Sequence, residues 1–232
     1  MTEIAEASTL PVKTSRVRIW MEFALFGGVF VWAGLAPIHL PISWGESRFS
    51  IEQLQSNPPA LALLAAVLLW IHGGIHELNF SWPTPWKRYL WQLPLILAGF
   101  FILLAAFSWI NHLLLGGSPQ ADEMNRKIAG PELRSFFLLI FPLWAFAEEM
   151  FYRAYLIQRL ERITSGWRHS TLLAVLLSSV VFALCHLQYG PIKLPVYVFT
   201  GLLFSGIYLY TKRSIWFVTL VHWLSNTLMV VL

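Results

Sequence analysis

Four places in this chain put ionisable side chains inside long apolar runs: Glu148, Glu149 and Arg153; His186; His222 with Asn226; and His72, His76 and Glu77. A charge in apolar surroundings is costly, so each is a candidate functional group by default. Residues four apart on a helix share a face, whereas adjacent residues diverge by about 100°. Glu149 and Arg153 can therefore pair, while Glu148 points elsewhere without a local cation. Poor solvation disfavours the carboxylate form, which suits a general base that must accept a proton near neutral pH. A structural ion pair or a solvated helix end is the plainer reading, but two adjacent acids in an apolar run fit it badly.

His186 follows Phe182 by one turn in the segment FALCH, so the phenyl ring can pack beneath the imidazole. His222 and Asn226, in HWLSN, also share a face and offer two side-chain donors aimed at one point, as an oxyanion requires. Interhelical hydrogen bonding would account for either motif taken alone. His72 and His76 have the spacing of two metal ligands, but they complete no metal motif with Glu77. They read as the interfacial end of a span, with a substrate-gating role left open. The single cysteine, Cys185, excludes an internal disulfide and any thiolate-rich metal site. Beside His186 it points away and serves as small apolar filler.

Taken together, an acid pair with an arginine, Phe-x-x-x-His and His-x-x-x-Asn fall in that order on three separate apolar runs. This resembles the CAAX protease and bacteriocin-processing (CPBP/Abi) family, which includes the type II CAAX prenyl endopeptidases. The matching residues are Glu148, Glu149 and Arg153, then Phe182 and His186, then His222 and Asn226. The resemblance implies an intramembrane endopeptidase that hydrolyses a peptide bond without a covalent intermediate. It makes Glu148 the general base, His186 its partner in positioning and proton transfer, and His222 and Asn226 the oxyanion donors. Glu149, Arg153 and Phe182 are then supporting residues. It also implies no cofactor, although Glu148, His186 and His222 could serve as the three protein ligands of a catalytic zinc.

Other intramembrane proteases fit less well. Asp122 is the only aspartate, so the two that an aspartyl type needs are lacking. No Gly-x-Ser-Gly motif is present, the nearest being Ser205-Gly206 with Leu203 at the glycine position, and His-Glu-x-x-His is absent. A non-catalytic immunity or scaffold protein remains a rival of another class. A proton-coupled transporter is a second, disfavoured by undivided runs and the lack of an inverted repeat.

The elements that position these residues must be membrane helices. Of the residues, 57% are hydrophobic and 12% charged, about half the charge a soluble domain carries. Apolar runs near 19–42, 59–79, 90–115, 135–160, 170–189, 194–211 and 214–232 predict an all-α polytopic bundle of about seven spans. The peptidase core occupies 135–232 within a single domain, 1–232, and 1–18 is a polar cytoplasmic tail. Pro191 and Pro195 predict an irregular start to the sixth span, and Gly116 to Leu133 a polar connection.

Placing the N-terminus inside puts eleven Lys and Arg on that side against five on the other, which favours a cytoplasmic N-terminus. The expected location is a prokaryotic cytoplasmic membrane. The expected partners are the bilayer and a membrane-embedded or membrane-associated peptide. The net charge of +4 comes from short clusters between apolar runs, with no nucleic-acid recognition module. Depth sets one condition. If the fourth span starts at Arg134, Glu148 lies about 9 Å and His186 roughly 24 Å from the cytoplasmic face. The two can meet only if that helix continues past Arg162.

Overall fold

The computed structural model describes residues 82–128 and 131–231, together with 17, 19–22, 24, 41–44 and 47–50. His72, His76, Glu77, the expected span 59–79 and most of 19–42 lie outside the described residues.

Helices dominate: α1 Trp86–Leu115, α2 Pro119–Ile128, α3 Pro131–Glu149, α4 Gln158–Ile163, α5 Ser170–Leu184, α6 Leu194–Tyr210 and α7 Ile215–Val231. Between α3 and α4 the residues Met150–Ile157 are π-helical, so the three pieces run on as one helix. That helix continues to Ile163, one residue past Arg162. The only β-structure among the described residues is a hairpin, in which β1 Pro41–Trp44 pairs antiparallel with β2 Ser47–Ser50. Pro41 opens β1, so the first helix does not reach residue 42 as expected; proline lacks the amide hydrogen that a helix interior needs.

Two described helical segments are long and apolar enough to cross a membrane, Trp86–Leu115 and Pro191–Tyr210, while α5 and α7 are apolar but shorter. A 15-residue α5 rises about 22 Å, short of a hydrocarbon core of about 30 Å. The expected helix 170–189 therefore stops at Leu184, and His186 lies on the turn beyond it. The sixth span does begin irregularly, with a 3₁₀ turn at Pro191–Lys193 before α6. The polar stretch read as a connection contains α2, with Pro119 at its first position, so Asp122 lies on a helix. The outward face of α1 exposes Leu95, Ile102, Leu103, Trp109, Leu113 and Leu114. So broad an apolar surface suits lipid far better than water.

All eight residues of the π segment are buried. It packs against α5 and α7, while α5 packs on α6 and α3 on α7. Gly201 of α6 makes the α5–α6 approach possible: a β-carbon there would stand 2.9 Å from Ser179 Cβ and 3.0 Å from its Cα. Small residues at such crossings let membrane helices close on one another. Ser178 Oγ donates to the Tyr152 carbonyl at 2.7 Å, tying α5 to the π segment.

Candidate active site

Glu148 and Glu149 end α3 where the helix widens to its π register, a local change that often accompanies functional sites. Pro142, earlier on α3, removes one backbone donor in the turns leading to them. The adjacent carboxylates diverge as helical geometry predicts. Glu149 is fully buried, and its two oxygens have different partners. Oε1 accepts from His222 Nδ1 at 2.7 Å, and Oε2 lies 3.2 Å from Arg153 Nε. That second contact is an ion pair out of hydrogen-bond alignment.

Arg153 is enclosed on every side. Its Nη2 donates to the Gly201 carbonyl at 3.3 Å, while Nε and Nη1 make no hydrogen bond. The guanidinium carbon sits 4.7 Å from the Phe182 ring centroid, 5.4 Å from Phe204 and 5.7 Å from Tyr152. These π faces compensate a desolvated cation where donors outnumber acceptors. Phe182, read as support for His186, thus also walls the arginine. Phe204 was not singled out from the sequence. It stacks on His222 at 4.3 Å as well, and no pattern marks it among the apolar residues of α6.

Glu148 is buried too, but differently. The Trp144 side chain, one turn back, hydrogen-bonds to it. Its Oε2 has no hydrogen-bond partner and lies 3.9 Å from His222 Nε2. His222 is held from behind by Glu149 and turns its second nitrogen toward Glu148. Because Nδ1 must carry the proton it gives to the carboxylate, any donation from Nε2 requires a doubly protonated ring. Two carboxylates would then face two cations, Arg153 and His222.

His186 sits at the end of α5, where the last carbonyls lack amide partners. Its Nδ1 lies 2.8 Å from the Phe182 carbonyl. A carbonyl can only accept, so Nδ1 carries the proton and Nε2 presents its lone pair. The Phe182 ring lies 4.5 Å from the imidazole, as the four-residue spacing predicted. His186 makes no direct hydrogen bond to Glu148. It reaches the cluster through Phe182, whose ring also faces the Arg153 guanidinium. Cys185 accepts from the Tyr152 hydroxyl at 2.8 Å, within the core. Asn226 is half-buried, one turn beyond His222 on α7.

The structure therefore links Glu148, Glu149, Arg153, Phe182 and His222 through direct contacts and sets His186 beside them. Among the described residues no three His, Cys, Asp or Glu side chains form a group that could hold a metal ion. One buried acid escaped the sequence reading. Glu22 Oε2 accepts from Tyr155 at 2.8 Å and pairs with Arg159 at 3.2 Å, pinning the N-terminal helical residues to the central helix. The signal was available, because Glu22 lies within an expected span.

Residues 130–228 match the family described as type II CAAX prenyl endopeptidase Rce1-like. That segment, 99 of the 232 residues, is similar to a peptidase family, and with the apolar helices Trp86–Leu115 and Pro191–Tyr210 it points to a membrane protein. Neither a curated protein nor a solved structure matches the chain.

Proposed function

We propose that this CAAX-protease-like chain is a glutamate-dependent intramembrane endopeptidase acting on a membrane-associated peptide or protein tail. The observation that carries the reading is the contrast between neighbouring carboxylates. Both oxygens of Glu149 face a partner, Arg153 at 3.2 Å and His222 at 2.7 Å, whereas Glu148 Oε2 has no hydrogen bond and lies 3.9 Å from His222 Nε2. A base must have such an atom to take a proton.

In this reading Glu148 removes a proton from water as its oxygen attacks the scissile carbonyl carbon. His186, offering Nε2, positions that water and shares the proton. His222 and Asn226 donate to the oxyanion of the tetrahedral adduct. Collapse of the adduct breaks the C–N bond, and the proton held by Glu148 passes to the leaving amine. Glu149 and Arg153 keep His222 and the helix in register. No metal is required by these steps. The substrate is a chain already in the bilayer, because a site buried among membrane helices meets such chains first. Location in a prokaryotic cytoplasmic membrane with an inward N-terminus, and seven spans in all, complete the proposal.

The test compares parent and Glu148→Gln protein, purified in detergent, for cleavage of host membrane extracts read by mass spectrometry. Parallel arms contain EDTA or phenanthroline. Loss of cleavage in the variant alone supports a metal-free glutamate base. Loss under chelator as well revives the zinc reading. A variant as active as the parent removes Glu148 from the mechanism.

A further inference from the structure

Tyr197 belongs to none of the three motifs, yet its ring lies 4.4 Å from the His186 ring centroid and only 22° from parallel. Phe182 lies 4.5 Å from the same imidazole. Tyr197 stacks on the imidazole while Phe182 packs against it at a 43° tilt, so two aromatic rings flank His186. With Nδ1 tied to the Phe182 carbonyl, Nε2 is the only polar atom of the ring left to offer.

This matters because His186 does not sit on regular helix. Its backbone, at φ −108 and ψ 16, lies past the end of α5, where no helical register fixes the side-chain direction. Tyr197 stands on α6, whose start is braced from two other elements. Asn111 of α1 donates to the Ile192 carbonyl at 3.1 Å, and Ser118, just before α2, donates to the Tyr189 carbonyl. Gly190 between them has φ +88, and a β-carbon there would stand 2.6 Å from Ser118 Oγ, so the turn is packed as tightly as glycine allows. Tyr189 in turn packs 5.3 Å from Tyr197. The polar ends of α1 and α2, which carry none of the motifs, thereby reach His186 through Tyr197 at 4.4 Å and, more distantly, Tyr189 at 6.2 Å.

We propose that Tyr197 is a positioning residue for the peptidase reaction, its ring stacking on His186 and fixing the imidazole so that Nε2 is presented to water and peptide. The inference rests on the glutamate-peptidase reading above. Its test uses the full-length protein in liposomes and a synthetic peptide copied from the cleavage site found in the membrane extracts.

Tyr197→Phe keeps the ring and should hold kcat within about twofold. Tyr197→Leu removes it and should lower kcat on the order of 10²-fold, the cost of misplacing a catalytic group by about 1 Å, with KM little changed. Where the leucine variant unfolds, shown by its melting midpoint in detergent, Tyr197→Met takes its place, with a smaller kcat loss in the same direction. Phe182→Leu combined with Tyr197→Leu should cost less than the product of the single losses, because both rings act through His186. The inference is overturned if the phenylalanine variant loses as much as the leucine one. It is equally overturned if the leucine variant matches the parent, if the loss falls on KM, or if the double variant is multiplicative. Activity surviving in Glu148→Gln would instead sink the underlying reading, whatever Tyr197 does.

Discussion

Two glutamate–arginine pairs, built from the same residue types, behave as opposites. Glu161 and Arg213 join α4 to the turn between α6 and α7 in a two-pronged fork, with Nη1–Oε2 at 2.7 Å and Nη2–Oε1 at 2.8 Å. Thr171 adds a third hydrogen bond at 2.7 Å, and the Arg213 side chain remains 36% exposed. Lys212 and Arg213 adopt left-handed φ of 56 and 64 to complete the turn. The inner pair, Glu149 and Arg153, makes one misaligned contact at 3.2 Å and leaves two guanidinium nitrogens without hydrogen bonds. Where water competes, the pair has good geometry and little net worth. Where water is absent, the geometry is compromised because Glu149 must also hold His222, and stability is given up for position.

That contrast can be broken at several points. The largest effect is expected on catalysis: Glu148→Gln should lower the cleavage rate on the order of 10²- to 10⁴-fold while moving the melting midpoint little, since glutamine keeps the shape and an oxygen that can accept from Trp144. Arg153→Met should do the reverse first. It leaves the Glu149 carboxylate buried without its cation, a loss of about 3–5 kcal/mol, measurable by denaturant titration in detergent. Arg153→Lys should rescue only part of this, because an ammonium cannot reach both Glu149 and the Gly201 carbonyl or lie flat among the rings. Gly201→Ala should cost about 1–3 kcal/mol by overpacking, and should reduce activity as the carbonyl holding Arg153 moves away with α6.

The smallest effect belongs to the outer pair. Glu161→Gln should cost about 0.2–1 kcal/mol, shrinking at high salt, with cleavage unaffected. Its pH dependence has a definite sign. Burial alone pushes the Glu161 carboxyl up, but hydrogen bonds from Arg213 and Thr171 outweigh it and hold the group below its ordinary 4.5. A carboxyl with a depressed folded-state pKa contributes stability above its unfolded value and loses it as pH falls through the folded one. The difference in melting midpoint between parent and Glu161→Gln should therefore be complete above about pH 4.5 and vanish below it. An outer pair as costly to remove as the inner one would erase the comparison.

Much of the site was legible before the fold. The four-residue spacings of Glu149 with Arg153 and of Phe182 with His186 specify contacts within one backbone segment, and both contacts are present. The divergence of Glu148 from Glu149 is equally local. The helix limits were less legible. His186 was expected on regular helix, but α5 ends at Leu184, since an apolar run reads the same whether the backbone inside it is helical or turning. The hairpin at Pro41 was hidden for the same reason, and the helix at Pro119 because a short polar stretch reads alike as loop or helix.

Sequence by itself determined the helical class, a family resemblance over roughly the last hundred residues and which residues carry charge into apolar runs, because composition and spacing along one chain are sufficient for each. Only the tertiary structure decided which partner each charged group takes. Glu149 is held by His222 from α7, Arg153 by a carbonyl from α6, and His186 is covered by Tyr197 from beyond the next turn. Such contacts depend on how closely separate helices approach. That distance is set by small residues such as Gly201 and by the packing of whole faces, which no spacing along the chain encodes.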